Sequence, residues 1–251
     1  MDKYIFQNFK IEILYEDDYL AILNKPFGLL THKKNVNDKE PSLCESLSYR
    51  FDIKDDEPLK EGIVHRLDKN TSGIIIIAKN KNVKKELSEL FKNREINKYY
   101  ITYVLGNFIN KDLEVLGKIA RQSNKRTKFK MSLKEGKDSQ TIINHLQTYF
   151  GSISILECKI ITGRTHQIRV HLSELGYPLI GDNEYQKNRS QKFALKNLPE
   201  HIKKFVLEFP RHALHSYKLD FIHPILNKKI YIECDLPKDL VSLDKVLKNE
   251  R

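Results

Sequence analysis

The residues best suited to chemistry lie at positions 65–73, HRLDKNTSG, which run directly into the apolar sequence IIIIA at 74–78. The isoleucines are β-branched and the run is short, which predicts a buried strand. Asp68 is therefore predicted to lie on a loop at the mouth of a rigid core element, where a carboxylate can be aimed at a substrate. An Asx-turn, in which Asp68 bonds nearby backbone groups, is the structural alternative.

Two further segments place polar side chains where a site could use them. The sequence KYYITYVLG at 98–106 predicts a strand with Tyr100 on one face, although core packing alone would account for a tyrosine there. The sequence TGRTHQIRVHL at 162–172 predicts a helix capped by Thr165. Arg169 lies one residue off the apolar stripe of that helix, where its guanidinium can reach inward without full burial. The alternative for Arg169 is a surface ion pair.

Residues 118–137 carry the strongest charge signal in the chain. Glu135 is the only acid among them, and Phe129 and Met131 interleave with the basic side chains. Those basic residues are Lys118, Arg121, Lys125, Arg126, Lys128, Lys130, Lys134 and Lys137. A basic arm with an aromatic residue is suited to a phosphate backbone and an unstacked base, so a nucleic acid is the predicted partner. A solvated hairpin is the simpler alternative.

Composition limits the class of protein. The 251 residues include 44 Lys and Arg against 33 Asp and Glu, a net charge of +11, and the sequence pI is near 9.3. That pI exceeds the value of about 9 typical of nucleic-acid-binding domains. Three separated cysteines argue against a disulfide framework, and no clustered Cys/His set indicates zinc. No signal peptide or membrane-spanning run is recognisable, so a cytoplasmic, soluble protein is expected.

The remaining pattern indicates one domain over residues 1–251, with a core from about 11 to 240. Strands are predicted within 11–31 and at 74–78, 98–105, 153–161 and 213–222. Helices are predicted from a cap at Asn82 to about Asn93, from Thr165 to about Leu175, and in a short piece within 43–51. Residues 186–210 are roughly helical, and 235–251 form a polar tail with one short helix.

Several of these segments together resemble the RluA family of RNA pseudouridine synthases. The resemblance is carried, in order, by the turn KPFG at 25–28, HRLDKNTSG at 65–73, Lys98 and Tyr100 in a Lys-x-Tyr pattern, GRTHQIRVHL at 163–172 and RHALHSYKLDFIHP at 211–224. It implies a single α/β catalytic domain, with a bent, mixed, mainly antiparallel sheet, flanking helices and a central cleft. It also implies a member without an N-terminal domain of the S4 type.

The resemblance further implies that the chain isomerises specific uridines of structured RNA, rRNA or tRNA, to pseudouridine, with no cofactor and no metal. The base is flipped out, the C1′–N1 bond is cleaved, and C1′ is rejoined to C5. Asp68 is implied as the catalytic carboxylate, either as nucleophile at C1′ or as base at C2′. Arg169 would keep it ionised, Tyr100 would stack on the detached uracil, and Arg66 would fill the vacated space or hold a phosphate.

Two other functions are compatible with parts of the sequence. A non-catalytic RNA-binding or ribosome-assembly factor on the same fold would need none of Asp68, Tyr100 and Arg169, so their joint presence favours the enzyme. A metal-dependent nuclease needs clustered carboxylates, and the dense acidic runs, two residues at 17–18 and three at 55–57, lie in predicted turns. For the synthase, the predicted RNA-binding residues are Arg66, Arg121, Lys125, Arg126, Lys128 and Lys130. The expected oligomeric state is a monomer.

Overall fold

The computed structural model describes residues 2–53, 57, 59–122, 127–186, 188–196 and 198–248. The chain divides into two compact units. The first comprises Met1–Lys98 with Ser216–Asp235, and the second comprises Tyr99–His215 with Leu236–Arg251. The single-domain organisation expected over residues 1–251 stays a prediction.

The elements of the described residues alternate between strands and short helices. The strands are β1 (Asp2–Phe6), β2 (Phe9–Glu16), β3 (Leu20–Lys25), β4 (Ser72–Ala78), β5 (Asn97–Leu105), β6 (Leu113–Arg121), β7 (Phe129–Ser132), β8 (Lys137–Tyr149), β9 (Ile153–Ile160), β10 (Leu214–Ile222) and β11 (Lys229–Glu233). The helices are α1 (Leu43–Leu47), α2 (Lys81–Lys92), α3 (Gln167–Glu174), α4 (Asn188–Leu195), α5 (Glu200–Leu207) and α6 (Lys238–Lys248). Within the described ranges, no helix is long and apolar enough to cross a membrane.

The first unit is built on strands in the order β1-β2-β3-β4-β10, with β11 beside β10. The pairs β1–β2, β2–β3, β3–β4 and β10–β11 are all antiparallel. Strand β4 is buried along its whole length, and its four isoleucines are fully inaccessible. The buried strand predicted at 74–78 is therefore confirmed, and the mainly antiparallel α/β architecture is confirmed with it.

Helix α2 begins two residues earlier than the sequence pattern predicts. Asn80 has extended backbone angles, and its side-chain oxygen accepts a hydrogen bond from the Val83 nitrogen at 3.0 Å, so the cap is Asn80 and not Asn82. An N-cap residue must lie just outside the helix to bond a nitrogen of the first turn, and only Asn80 has that geometry. Val83 and Leu87 are buried, as the apolar stripe predicts.

The strand predicted at 213–222 is confirmed as β10, although the family resemblance implies a pair of strands within 211–224. A single strand, β10, occupies most of that segment, and its partner β11 follows later in the chain. The connecting turn begins at His223, whose nitrogen donates to the Lys228 carbonyl at 2.8 Å, while its Nδ1 accepts from the nitrogens of Ile225 and Leu226. Because His223 closes the turn locally, the HP sequence ends one strand and does not belong to a second.

The second unit is built on strands in the order β5-β9-β8-β6-β7, and the pairs β8–β9, β6–β8 and β6–β7 are antiparallel. Strands β5 and β9 confirm the predictions at 98–105 and 153–161. The long strand β8 was not predicted, because its buried positions include Ser139 and Thr141, which weaken the apolar alternation.

Helices α5 and α6 cover one apolar core of the second unit. Leu240, Leu243 and Leu247 of α6 are fully buried in the cluster that contains Ile153 and Ile202. The short helix predicted within 235–251 is therefore confirmed as α6, but it is a core element and not part of a polar tail. Three leucines spaced by three and four residues form one face of a helix, which a count of polar residues does not detect.

Candidate active site

Asp68 occupies the last turn of backbone before β4. The Thr71 nitrogen donates to the Asp68 carbonyl at 3.0 Å and closes a turn, and β4 begins at the next residue. Leu67 is buried, Asp68 is half-buried and Arg66 is exposed. The loop therefore presents a partly covered carboxylate beside an exposed guanidinium, immediately before a strand that cannot shift without opening the core.

The turn KPFG at 25–28 holds the residue that follows Asp68. The buried ammonium of Lys25 donates to the carbonyls of Pro26, Leu29 and Lys69 at 2.9, 2.8 and 3.2 Å. The nitrogen of Gly28, a residue with φ of +85°, also donates to the Lys69 carbonyl at 2.8 Å. This turn therefore fixes the Lys69–Asn70 peptide group, one residue beyond Asp68.

His65, the first residue of the motif, is structural. Its Nε2 accepts a hydrogen bond from the Ile76 nitrogen at 2.9 Å, and its ring lies 4.6 Å from that of Phe91. The Lys98 ammonium lies 4.7 Å from the same Phe91 ring, and burial lowers the pKa of Lys98 to about 8. Burial, together with the charge of Lys98, holds the pKa of His65 well below its usual range. His65 is thus a neutral acceptor that ties the loop to β4.

The surface next to Arg66 is positive. Burial lowers the pKa of His32 in this part of the first unit, and the charges of Arg66 and Lys60 lower it further. Both of these basic side chains are exposed. Arg66 and Lys60 thus make the local electrostatic potential positive. An exposed guanidinium in such a place is suited to bind an anionic group such as a phosphate.

Tyr100, in the second unit, lies in β5 and is 5 % exposed. Thr102 shares its face, and the Thr102 hydroxyl donates to the Ala213 carbonyl at 2.8 Å. Tyr99 lies on the opposite face, where the Lys159 ammonium is 5.5 Å from its ring. The faces predicted from the strand alternation are therefore observed, and Tyr100 is the tyrosine of the pair that is buried.

Helix α3 carries Arg169, but it begins differently from the prediction. Its N-cap is His166, with φ of +57° and no side-chain capping bond, so Thr165 is not the cap. Gln167 organises the preceding turn instead, because its side-chain oxygen accepts from the Arg164 nitrogen at 3.0 Å and the Thr162 hydroxyl at 2.7 Å. A side chain inside the helix thus replaces the predicted cap outside it.

Arg169 is buried, with 5 % of its surface exposed, and not at a partly open edge as expected. Its Nε and one terminal nitrogen donate to the two oxygens of Asp182 at 2.7 and 2.9 Å, and its Nη2 also donates to Glu184 at 2.9 Å. Its guanidinium carbon lies 4.8 Å from the Tyr185 ring. Burial raises the pKa of Asp182, but the hydrogen bonds and charge of Arg169 outweigh burial and the net pKa is lowered.

The predicted basic arm contains the hairpin β6–β7. This hairpin is hydrogen-bonded to Tyr185, the residue whose ring contacts Arg169. The Tyr185 hydroxyl accepts from the Phe129 nitrogen at 2.9 Å and bonds His166 Nδ1 at 2.7 Å. Phe129 and Met131 pack against the buried cluster of Ile119, Val170 and Tyr185. Phe129 and Met131 are thus partly buried by packing, whereas Leu133 of the same arm is exposed.

The basic residues of this arm differ in their surroundings. Arg121 and Lys130 are exposed, and the Arg121 guanidinium carbon lies 5.6 Å from the Phe129 ring. The Lys128 ammonium, by contrast, donates to the Glu184 carbonyl and lies 6.0 Å from the Tyr185 ring. Lys125 and Arg126 lie outside the described residues. Arg121 and Lys130 are therefore better placed than Lys128 to contact a phosphate.

Asp68 and Arg66 belong to the first unit, whereas Tyr100, Arg169 and the basic hairpin belong to the second. Their convergence on one site stays a prediction. The sequence reading missed Asp182, Glu184 and Tyr185. The signal available was an acid directly after the apolar run PLIG at 178–181. Among the residues that the structure describes, no group of three or more His, Cys, Asp or Glu could hold a metal ion.

Comparison with known proteins gives consistent matches. The model of a family described as RNA pseudouridylate synthase matches residues 19–174. The chain is 34 % identical over 239 residues to ribosomal large subunit pseudouridine synthase D of Nitrosomonas europaea, covering 95 % of this chain and 66 % of that protein. It is 35 % identical to the protein of the same name from Borreliella burgdorferi, covering 89 % and 74 %. The chain thus spans about two thirds to three quarters of these relatives' length.

A solved structure is similar as well. The human protein RNA pseudouridylate synthase domain containing 1 aligns with 93 % of this chain and 86 % of its own, with a TM-score of 0.68 and 26 % identity. The human protein RNA pseudouridylate synthase domain containing 4 aligns with 93 % of this chain and 93 % of its own, with a TM-score of 0.66. The likeness therefore extends over nearly all of the chain, in fold as well as in sequence.

Proposed function

Because this chain belongs to the RNA pseudouridylate synthase family, with motifs of the RluA type, we propose that it isomerises specific uridines of structured RNA to pseudouridine. Ribosomal RNA is the substrate we favour over tRNA, because the relatives are named for the large ribosomal subunit. The observation that carries the proposal is Asp68, half-buried in the family's HRLD motif and braced directly before a fully buried strand.

The reaction that we propose consumes no water and transfers no electrons. The bond between uracil N1 and C1′ breaks, the detached base turns, and a bond forms between C5 and C1′. The proton on C5 leaves and N1 acquires one, so atoms and charge balance. Asp68 acts either as the nucleophile at C1′ or as the base at C2′, and both routes need the carboxylate ionised in a partly dry pocket.

Tyr100 and Arg169 are the second-unit residues of this proposal. Tyr100 would stack on the detached uracil, and its hydroxyl would assist removal of the C5 proton. Arg169 would favour the ionised form of Asp68. Asp182 supports this role, because its two oxygens bind Arg169 in a fork that restrains the orientation of the guanidinium.

RNA binding would rest on exposed basic groups of both units. Arg66 would occupy the space left by the flipped base or hold its phosphate, since flipping leaves a gap in the stack. Arg121, Lys125, Arg126 and Lys130 would contact the backbone around it, in keeping with the net charge of +11. We propose a monomer acting on RNA without a cofactor or metal.

The test is to map pseudouridines in total RNA of the source organism after deletion of the gene. The deletion strain is complemented with the wild-type chain, with Asp68→Asn, or with Asp18→Asn as matched control. Asp18 is an exposed carboxylate of the same unit. A site that disappears and returns with wild type and Asp18→Asn, but not with Asp68→Asn, would establish the reaction and its target.

The alternative of a non-catalytic RNA-binding or assembly factor predicts a different result. In that case no pseudouridine would be lost on deletion, and any growth or assembly defect would be rescued equally by wild type and Asp68→Asn. Retention of full turnover by purified Asp68→Asn would remove the proposed role of the carboxylate.

A further inference from the structure

Thr31 makes two hydrogen bonds to the residue directly before Asp68. Its hydroxyl donates to the Leu67 carbonyl at 2.7 Å and accepts from the Leu67 nitrogen at 3.2 Å. Thr31 is 3 % exposed and Leu67 is 3 % exposed, so both bonds form away from water. The Thr31 carbonyl in turn accepts from the nitrogen of Cys44, a residue of α1, at 3.0 Å.

The chemistry of a hydroxyl explains why one side chain can serve both groups. Leu67 lies outside any strand or helix, so its N–H and C=O have no regular backbone ladder to join. A hydroxyl both donates and accepts, whereas an ammonium only donates and a carboxylate only accepts. Threonine also has a restricted χ1, which fixes the hydroxyl direction more firmly than serine would.

The Leu67 carbonyl belongs to the peptide group whose nitrogen is that of Asp68. Holding this carbonyl therefore fixes the plane from which the Asp68 side chain projects. On the other side of Asp68, the Lys69 carbonyl is held by Lys25 and Gly28. The two hydrogen-bonded anchors thus lie on either side of the one residue whose carboxylate must be aimed.

We propose that Thr31 is a positioning residue for the Asp68 carboxylate, acting through the Leu67 peptide groups. This inference rests on the proposed function in assigning Asp68 to the reaction. Thr31 itself contacts no reacting atom. Its loss displaces the carboxylate by a small distance while leaving the basic groups of the second unit in place, and small misplacements of a catalytic group are costly, on the order of 100-fold for about 1 Å.

The experiment compares Thr31→Val, which keeps the shape and removes the hydroxyl, with Thr31→Ser, which keeps the hydroxyl. Thr148→Val is the matched control, since the Thr148 hydroxyl bonds His145 and Ser154 within the other unit. Single-turnover rates, RNA affinity and amide hydrogen exchange at Leu67 are measured for each. Thr31→Val should lose about 10- to 100-fold in rate, with RNA affinity within about twofold of wild type. Its Leu67 amide should exchange faster.

Thr31→Ser should recover most of the rate, and Thr148→Val should keep it. A wild-type rate in Thr31→Val, or a rate in Thr31→Ser as low as in Thr31→Val, would overturn the inference. Unchanged protection of the Leu67 amide in Thr31→Val would overturn it independently of activity. Failure of the proposed function would show differently, as full turnover in Asp68→Asn or as no pseudouridine formed by the wild type.

Discussion

Arg169 and Asp182 form a forked ion pair in which the guanidinium Nε and Nη2 reach the two carboxylate oxygens at 2.7 and 2.9 Å. Both side chains are almost wholly buried, at 5 % and 1 % exposure. The Asp182 carboxylate also accepts from the nitrogens of Glu184 and Tyr185 at 3.0 and 3.2 Å. Asp182 therefore links α3, which carries Arg169, to the turn at 182–185. Tyr185 of that turn bonds Phe129 of the basic hairpin.

Replacing Asp182 by Asn should destabilise the protein and slow the reaction together. The change leaves a buried guanidinium with less opposing charge, and breaking one partner of a buried pair costs about 3–5 kcal/mol of unfolding free energy. Urea unfolding of the full chain measures this loss. Glu184→Gln is the control, because Glu184 is partly exposed and its bond to Arg169 should contribute less than about 1 kcal/mol. Equal losses of unfolding free energy in the two variants would contradict the prediction that Asp182 stabilises Arg169 more than Glu184 does.

Tyr100→Phe should separate stacking from proton transfer. The ring and its burial are retained, so RNA affinity should change less than about twofold, while loss of the hydroxyl should lower turnover by about 100-fold. Binding is measured by fluorescence anisotropy and turnover by release of tritium from C5-labelled uridine. Tyr99→Phe is the matched control on the opposite face of the same strand. Wild-type turnover in Tyr100→Phe would limit Tyr100 to stacking.

Neutralising Lys125, Arg126 and Lys130 to Gln should weaken RNA binding and reduce its salt dependence. Each phosphate contact contributes about −0.7 to −0.9 to the slope of log Kobs against log salt, so the loss of three contacts should make that slope less negative by about 2–3. Lys128→Gln should change the slope much less, because its ammonium is engaged by the Glu184 carbonyl. An unchanged slope in the triple variant would show that these three side chains do not contact RNA phosphates.

His171 should make the free energy of unfolding depend on pH below neutrality. Its Nε2 bonds Ser139 at 2.9 Å, its Nδ1 is buried without a hydrogen-bond partner among the described residues, and burial lowers its pKa to about 4. Between pH 6.5 and 4 the unfolded chain takes up a proton there that the folded chain does not, so stability falls as pH falls. The full effect is about 3 kcal/mol.

The measurement for His171 compares urea unfolding of wild type and His171→Gln at pH 7.5 and pH 5. His65 and His32 also have lowered pKa values, so the wild type loses stability from several groups and only the difference between the two proteins reports on His171. The variant should lose less stability on acidification than the wild type. Parallel losses would show that folding does not lower the pKa of His171.

The sequence by itself determined the elements whose signals are local. The run at 74–78, the alternation in β5 and the stripe of α2 were each predictable, because β-branching and side-chain period act over a few neighbouring residues. The order of motifs was also sufficient to indicate the family and Asp68. Local signals failed at element ends, as at Asn80 and His166, where one side-chain bond moves a boundary.

Only the tertiary structure decided which groups hold the proposed site residues. Arg169 is paired with Asp182 and Glu184, Lys128 is engaged by Glu184, and the Leu67 peptide groups are held by Thr31, from 36 residues away in the chain. Partner choice of this kind depends on which elements pack together, and burial then makes each pairing obligatory because an unpaired polar group is costly inside a protein. Residue type and spacing indicate that a carboxylate or guanidinium is present, while packing determines what it binds.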